Sequence, residues 1–284
     1  MTQILSGIEV KASIHKKLQD RRALVQGAFG VAIIQVGQNP APTAYIAQKK
    51  KFAESLDISV EHSVLEDGVT EQELIQTIEK YNADDTIAGI VLQLPLPTHI
   101  DEDVVIHAIG PAKDIDGLTP ASAALIYNGE PGIVPATARG IMELLEYYNI
   151  PVAGKNCVVI GRSRLAGIPT AFSLLARDAT VTIAHSKTEH LADLTKQADI
   201  VVIATGVPRM LTSDYVSSKA VVIDIGITRV DVDGGQSLVG DADFKSLDGN
   251  VAALTPVPGG VGQLTVAALF ENLFDLYDIR HHRM

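Results

Sequence analysis

Hydrophobic and polar positions alternate in two series along the chain, and both series predict parallel β-strands connected by helices. In the first half, short apolar runs alternate with segments whose apolar residues recur at helical spacing, a pattern typical of βαβ units. The predicted elements are strand 31–36, helix 43–56, strand 58–65, helix 71–81 and strand 87–92. Turn-forming residues concentrate at 37–42, 95–98 and 114–120. Because ligands of open α/β sheets bind beyond the carboxyl ends of the strands, these turns are candidate site segments.

A second series of predicted strands and helices begins near Pro135, and its alternation is typical of a nucleotide-binding domain. Its predicted elements are helix 138–148, strand 157–160, helix 168–176, strand 180–184, helix 189–197, strand 200–204 and strand 220–225. The segment from Asp231 to Gly235 predicts a hairpin tip, because Asp-Gly and Gly-Gly pairs readily adopt positive φ angles. A last helix is predicted over 264–277.

The two series predict the α/β fold class with two domains. The first, an α/β domain, is expected to combine residues 1–137 with residues 263–284, and the second, a Rossmann-like domain, to cover residues 138–262. A chain of 284 residues is long enough for two domains of ordinary size, and we expect a cleft between them.

Composition narrows the class of partner. The chain is 46% hydrophobic and 20% charged, as in globular proteins, and its net charge of -11 argues against binding to nucleic acid or to an anionic membrane. No apolar run approaches the ~20 residues that span a bilayer, and no signal peptide is recognisable at the start. We therefore expect a cytoplasmic protein that binds a small molecule. The single cysteine, Cys157, is predicted to be a buried residue, and the His281-His282 tail a frayed end, so no metal site is predicted.

A glycine-containing loop, Gly161-Arg162-Ser163-Arg164-Leu165-Ala166-Gly167, follows a predicted strand and precedes a predicted helix. That is the context of a pyrophosphate-binding loop. The spelling departs from G-x-G-x-x-G, because Ser163 and Ala166 stand where glycine is usual and Gly167 comes one place late. By itself the loop fits an ordinary βα turn equally well.

The end of the next strand favours NADP over NAD. NAD enzymes usually place Asp or Glu there for the ribose hydroxyls, whereas this chain has His185, Ser186 and Lys187. Together with Arg162, these hydroxyl and cationic groups suit a 2′-phosphate. Two later strands are followed by Thr205-Gly206 and by Gly226-Ile227, where glycine would let the backbone approach the nicotinamide ribose; plain turns remain an equal alternative.

Four motifs carry a resemblance to a known family. Tyr45 and Lys49 lie four residues apart on one face of a predicted helix, although a lone lysine in such a place is most often on the surface. The other motifs are V-L-Q-L-P-L-P at 91–97, K-D-I-D-G at 113–117 and P-V-P-G-G-V-G at 256–262. In register from about Gly30 to Leu269, the sequence resembles the bifunctional methylenetetrahydrofolate dehydrogenase/methenyltetrahydrofolate cyclohydrolase family.

The resemblance implies an enzyme that uses NADP to oxidise methylenetetrahydrofolate and then hydrolyses the methenyl product to 10-formyltetrahydrofolate. It implies that residues 1–137 with 263–284 bind tetrahydrofolate derivatives and that residues 138–262 bind NADP. By the same resemblance Lys49 is the catalytic lysine, Gln93 contacts it, Tyr45 lies against the folate ring and Asp116 anchors the pterin. The remaining folate contacts are expected at Leu94, Pro95, Pro258, Gly259 and Gly260. A homodimer is also expected.

The chain departs from the family pattern in three places. Pro42 replaces a small residue, and Gln263-Leu264 replaces Pro-Met after the last glycine motif. Ala136 and Ala138 stand where the family's P-C-T-P-x-G motif has cysteine and its second proline. None of these changes removes a proposed proton-transfer group, but each bears on the shape of the folate site.

Other functions remain open at this point. They are a two-domain NADP oxidoreductase for another substrate, such as a shikimate-type dehydrogenase; a dinucleotide-binding regulator without chemistry; and a monofunctional dehydrogenase. ATP-dependent ligation is not expected, because the sequence contains no P-loop.

Overall fold

The computed structural model describes residues 1–37, 40–232 and 235–281, and the chain forms two compact units. The six-stranded unit combines Met1–Ser13 with Thr137–Thr265, and the three-stranded unit combines Ile14–Ala136 with Val266–Met284. Each unit contains a parallel sheet and helices. The predicted two-domain α/β fold class is confirmed.

Within the described residues the helices are α1 (Gly7–Arg22), α2 (Pro40–Glu54), α3 (Glu71–Ala83), α4 (Glu102–His107), α5 (Pro120–Asn128), α6 (Ala136–Tyr147), α7 (Gly167–Leu175), α8 (Leu191–Thr195), α9 (Phe244–Leu247) and α10 (Thr265–Arg280). The strands are β1 (Gln3–Ile4), β2 (Gly30–Val36), β3 (Ser59–Leu65), β4 (Ile87–Leu92), β5 (Asn156–Ile160), β6 (Thr180–Ala184), β7 (Ile200–Ile203), β8 (Val221–Asp224), β9 (Thr228–Val232), β10 (Gly235–Val239) and β11 (Ala253–Leu254).

The six-stranded unit contains a parallel sheet in the order β1-β11-β8-β7-β5-β6. Its central strand β7 is buried along its whole length, as is typical of a parallel sheet covered on both faces. The core includes Val158, Ile160, Val201, Ile203 and Val222. Cys157 is buried as predicted, and burial raises the pKa of its thiol to about 11, which keeps the thiol protonated at neutral pH.

The compact units divide the start of the chain differently from the predicted domains. Residues 1–13 were expected with the catalytic domain, but they belong to the six-stranded unit. The reason is β1, in which Gln3 pairs with Ala253 and Ile4 with Leu254. Two residues without an alternating pattern give no strand signal, so only the long-range pairing reveals this edge of the sheet.

The three-stranded unit contains a parallel sheet in the order β3-β2-β4. Strands β2 and β4 lie side by side, with Ile34 opposite Leu92, so the residues that follow them emerge at one edge of the sheet. Helix α3 covers this sheet; it begins at a capping box formed by Thr70 and Glu73 and buries Leu74.

Several helices differ from the prediction. The helix expected over 189–197 is shortened to α8, because His190 adopts a left-handed conformation (φ 54°) and a right-handed helix begins only after it. Helix α1 was not predicted, although Val10, Ile14 and Leu18 are buried at a spacing of four residues. Part of the predicted turn at 114–120 leads into α5, which Thr119 caps by accepting the Ser122 N–H.

The hairpin predicted around Asp231 to Gly235 is present as the antiparallel pair β9 and β10, whereas Asp233 and Gly234 at its tip lie outside the described residues. His282 lies outside them as well. In the ranges that the structure describes, no helix is long and apolar enough to cross a membrane, and no cluster of three acidic, histidine or cysteine side chains is arranged to hold a metal ion.

Candidate functional site

Lys49 is a buried lysine on helix α2. It is 8% exposed, whereas its neighbours Lys50 and Lys51 are exposed, so the surface-lysine alternative does not hold. Burial lowers the pKa of Lys49 because the charged ammonium loses hydration, and the nearby Asp116 carboxylate opposes that shift. Tyr45 lies one turn earlier on α2 and is half-buried. This lysine gives up its proton more readily than an ordinary one.

Gln93 contacts Lys49 from the end of β4, as the resemblance implied. Its backbone N–H donates to the Ile34 carbonyl at 2.9 Å, which extends the pairing of β4 with β2 by one residue. Its side-chain Nε2 donates to the Leu94 carbonyl at 2.8 Å, and Oε1 accepts from Lys49 Nζ at 3.4 Å. The amide is thereby oriented with its acceptor toward the amine, and it adds no charge. Pro95, two residues after Gln93, is exposed, and the Leu94-Pro95 peptide bond is cis.

Asp116 is the acidic member of this cluster. Burial raises the pKa of its carboxyl group, the Lys49 ammonium opposes the shift, and the Asp114 carboxylate adds to it. Gly117 follows in a left-handed conformation (φ 69°), and an added Cβ would lie 2.9 Å from the Pro135 nitrogen, so the turn requires glycine.

The other residues of the K-D-I-D-G motif have structural contacts. Lys113 is buried and donates to the carbonyls of Tyr81 and Asp84, each at 2.7 Å, at the carboxyl end of α3. Asp114 accepts hydrogen bonds from the Thr119 N–H at 2.8 Å and the Ser122 hydroxyl at 2.7 Å, at the start of α5.

One residue that holds this segment was missed by the sequence interpretation. Asn272 on α10 is fully buried, and its Nδ2 donates to the carbonyls of Ile115 and Val134, both at 2.8 Å. Ile115 directly precedes Asp116, and Val134 precedes Pro135, against which Gly117 packs. Nothing in its sequence context distinguishes Asn272 from a surface polar residue, so only its burial reveals it.

The glycine loop of the six-stranded unit forms a tight strand-to-helix turn. Gly161 has a φ of 127°, and an added Cβ would lie 2.2 Å from the Ala204 carbonyl oxygen; one on Gly167 would lie 2.3 Å from the Gly161 carbonyl oxygen. Ser163 and Ala166 have negative φ angles and need no glycine. The Ser163 hydroxyl accepts the Gly167 N–H at 3.2 Å, at the start of α7. The departures from G-x-G-x-x-G therefore leave the turn intact.

The segment after β6 is a short polar turn without an acidic residue. Thr188 Oγ1 accepts the His185 N–H at 2.8 Å, and His185 Nδ1 accepts the Lys187 N–H at 3.2 Å. Ser186 and Lys187 are exposed, as is Arg162 in the glycine loop. Exposed hydroxyl and cationic groups in these positions are chemically suited to a phosphate monoester.

The turns after β7 and β8 have different reasons for their glycines. Gly206 has a φ of 71°, and a Cβ there would meet nothing within 4 Å, so this turn faces open space. At Gly226 a Cβ would lie 2.3 Å from the Asp241 carboxyl group, so this glycine is required by packing within the protein. Its neighbour Ile227 is 53% exposed. The proposed approach to a ribose is thus sterically open at Gly206, whereas Gly226 has a sufficient structural explanation.

The P-V-P-G-G-V-G motif is a packed segment of the six-stranded unit and not an extended linker. The Gly7 N–H donates to the Gly259 carbonyl at 2.8 Å, and a Cβ on Gly7 would lie 2.1 Å from the Gly260 carbonyl oxygen. Pro258 follows a cis peptide bond and is exposed. Among the departures, Leu264 is buried with its Cβ 2.8 Å from the position of a Cβ on Gly140.

The remaining departures that the structure describes are buried or half-buried. Ala136 and Ala138 on α6 are buried, Gln263 is half-buried, and the side chain of Pro42 lies outside the described part of the structure. The departures whose side chains are described therefore concern packing.

Known proteins are similar to this chain over nearly its whole length. A model of the tetrahydrofolate dehydrogenase/cyclohydrolase catalytic domain matches residues 5–116, and a model of the NAD(P)-binding domain of the same family matches residues 135–281. The bifunctional protein FolD of Agathobacter rectalis is 42% identical over 277 residues, which cover 96% of this chain and 98% of that protein.

Two solved structures are similar throughout. The bifunctional FolD dehydrogenase/cyclohydrolase from Campylobacter jejuni has a TM-score of 0.94 and 36% identity, covering 99% of this chain and 100% of that one. The FolD structure from Trypanosoma brucei, complexed with NADP cofactor and inhibitor, has a TM-score of 0.92 and 34% identity, covering 100% of this chain and 99% of that one. With both domain models matched and a relative 42% identical over 96% of this chain, the chain belongs to the tetrahydrofolate dehydrogenase/cyclohydrolase family.

Proposed function

We propose that this protein oxidises 5,10-methylenetetrahydrofolate to 5,10-methenyltetrahydrofolate with NADP and hydrolyses the methenyl compound to 10-formyltetrahydrofolate. Family membership supports the pair of reactions. The observation that supports the hydrolytic step is the buried Lys49. Burial lowers its pKa, and its amine contacts Gln93.

The six-stranded unit has groups that fit NADP. The closely packed Gly161 and Gly167 leave the loop backbone free to approach a pyrophosphate at the start of α7, with Ser163 in the same turn. Arg162, His185 and Ser186 would hold the 2′-phosphate. The nicotinamide ribose would lie against the turns Thr205-Gly206 and Gly226-Ile227. When bound, NADP supplies the hydride acceptor.

Lys49 acts as the general base and acid of the hydrolytic step. Water attacks the methenyl carbon and loses a proton to the neutral amine, which the lowered pKa of Lys49 makes more available. The resulting hydroxyl adduct collapses to the formyl group as the carbon–N5 bond breaks. N5 takes the proton back from the ammonium, and the hydroxyl proton leaves to solvent. Gln93 keeps the amine oriented throughout.

The other residues of the three-stranded unit bind and orient the folate. Asp116 accepts hydrogen bonds from the pterin amino group and ring N–H, Tyr45 lies against the ring, and Leu94 and Pro95 line the same edge of the sheet. Contacts from Pro258, Gly259 and Gly260 remain a prediction, as do the assignment of each domain to one ligand, the homodimer and the cytoplasmic location. Sedimentation analysis of the purified protein tests the dimer.

The test of the function follows two products separately. Purified protein is mixed with methylenetetrahydrofolate and either NADP or NAD, with reduced nucleotide and methenyl product each read at its own wavelength; a second reaction starts from supplied methenyl compound. We expect reduction of NADP and enzyme-dependent loss of the methenyl compound. Reduction without that loss identifies a monofunctional dehydrogenase, and binding of NADP without either reaction identifies a regulator.

A further inference from the structure

Two buried carboxyl groups in the six-stranded unit have no part in the site described above. Asp224 is the last residue of β8 and is 3% exposed, and Asp241 follows β10 and is fully buried. Burial of an ionisable group is unfavourable unless hydrogen bonds compensate it. The contacts of the two groups therefore show what their burial achieves.

Asp241 accepts hydrogen bonds from the turn after β7. Its Oδ2 accepts from the Thr205 N–H at 2.5 Å, the Thr205 hydroxyl at 3.1 Å and the Gly206 N–H at 2.8 Å. The Thr205 hydroxyl also accepts the Val207 N–H at 3.2 Å. The N–H groups of residues 205 and 206 therefore point into the protein, toward a carboxylate.

The second oxygen of Asp241 fixes the turn after β8. Oδ1 accepts no hydrogen bond from the described residues and lies 2.3 Å from the position that a Cβ on Gly226 would occupy. Only glycine at 226 leaves room for this carboxyl group. Asp241 thus touches both turns that border the predicted nicotinamide side of the cofactor site.

Asp224 holds Asp241 in place from behind. Its Oδ1 accepts from the Gly226 N–H at 2.8 Å and the Asp241 N–H at 3.1 Å, and its Oδ2 accepts from the Ala242 N–H at 2.8 Å. The Asp224 N–H donates to the Thr255 hydroxyl at 2.7 Å. The two carboxyl groups connect the segments that follow β7, β8 and β10.

We propose that Asp241 is a positioning residue that makes the Thr205-Gly206 turn bind hydroxyl groups. It turns the N–H groups of the turn inward and leaves the carbonyl groups of the turn for the ligand. An open glycine turn with outward N–H groups binds anions, as phosphate loops do. Here a buried carboxylate consumes those donors, so the turn recognises hydrogen-bond donors such as ribose hydroxyls. The inference rests on the proposed use of NADP, and it adds the kind of chemical group that this part of the cofactor site recognises.

The first test compares Asp241→Asn with Asp248→Asn, an exposed aspartate of the same unit that loses the same charge. NADP dissociation constants are measured by calorimetry, and methenyl hydrolysis, which needs no NADP, is measured in parallel. We expect Asp241→Asn to weaken NADP about tenfold, since both N–H groups exchange a charged acceptor for the weaker, neutral amide oxygen of asparagine, while hydrolysis and the Asp248→Asn variant stay close to wild type. Unchanged NADP affinity in Asp241→Asn overturns the proposal.

The second test uses the unmodified protein, so it does not depend on the variant folding. The exchange rates of the Thr205 and Gly206 amides with solvent deuterons are measured by NMR, with and without NADP. We expect both amides to be protected already in the free protein, because they donate to Asp241. Amides that exchange freely until NADP binds contradict the proposal, because the cofactor would then be their acceptor. Failure of the wild-type protein to bind NADP at all contradicts the proposed function instead.

Discussion

Replacing Asn272 by leucine should destabilise the protein and disturb folate binding together. Leucine has the same branching at Cγ but no donor, so the carbonyls of Ile115 and Val134 lose their buried partner. An unsatisfied buried acceptor costs about 1–3 kcal/mol, so the free energy of unfolding should fall by about 2–6 kcal/mol. In a domain of this size that corresponds to a fall of roughly 5–20 °C in melting temperature.

The functional consequence follows from the position of Ile115 next to Asp116. Once the Ile115 carbonyl is released, the backbone that carries Asp116 loses one of its anchors, and the KM for methylenetetrahydrofolate should rise. The assay pairs thermal unfolding with steady-state kinetics, and Ile279→Ala, an exposed position on the same helix, is the matched control. A variant that melts with the wild type and keeps its folate KM would refute the role of this amide.

Three further predictions concern titration and cofactor choice. Burial raises the pKa of Asp224 from 3.8 to about 6, so the contribution of its protonated form to the free energy of unfolding is complete below about pH 4 and is lost as the pH rises through 6. Urea unfolding at a series of pH values should show a loss of about 3 kcal/mol in the wild type that is absent from Asp224→Asn. The same dependence of unfolding free energy on pH in both proteins would contradict this prediction. Burial and the adjacent Lys50 lower the pKa of His62 from 6.5, so its NMR titration midpoint should rise in Lys50→Met; an unmoved midpoint would argue against the contact. Arg162→Gln should weaken NADP roughly tenfold and NAD far less, as measured by calorimetry, and equal losses would remove the 2′-phosphate assignment.

The elements that the sequence predicts best are those with a strong local pattern. The bounds of β4 and β6 agree with the prediction because each is a short β-rich run between clear turn signals. Strand β1 was missed because its two residues carry no pattern, and α8 was predicted too long because a left-handed His190 cannot be inferred from residue type. Local propensity identifies the elements, and long-range pairing decides their edges.

The site shows the same division between local and long-range information. Lys49 and Gln93 were identified from motifs, but their burial and contact depend on β2, β4 and α2 coming together. Asn272 reaches a carbonyl 157 residues away, and Asp241 reaches a turn 35 residues away, so neither could be distinguished from a surface polar residue in sequence. Buried polar residues of this kind become visible only with their partners.

The central claim is that the buried Lys49 performs the hydrolytic proton transfer, and the most direct measurement compares Lys49→Met with Lys51→Met. Both variants remove one ammonium from α2, but only Lys49 is buried beside Gln93. Hydrolysis of supplied methenyltetrahydrofolate and calorimetric NADP binding are measured for each. We expect Lys49→Met to lose about 100-fold or more of its hydrolytic rate and to bind NADP normally, with Lys51→Met unaffected. Retention of hydrolysis by Lys49→Met would contradict the mechanism.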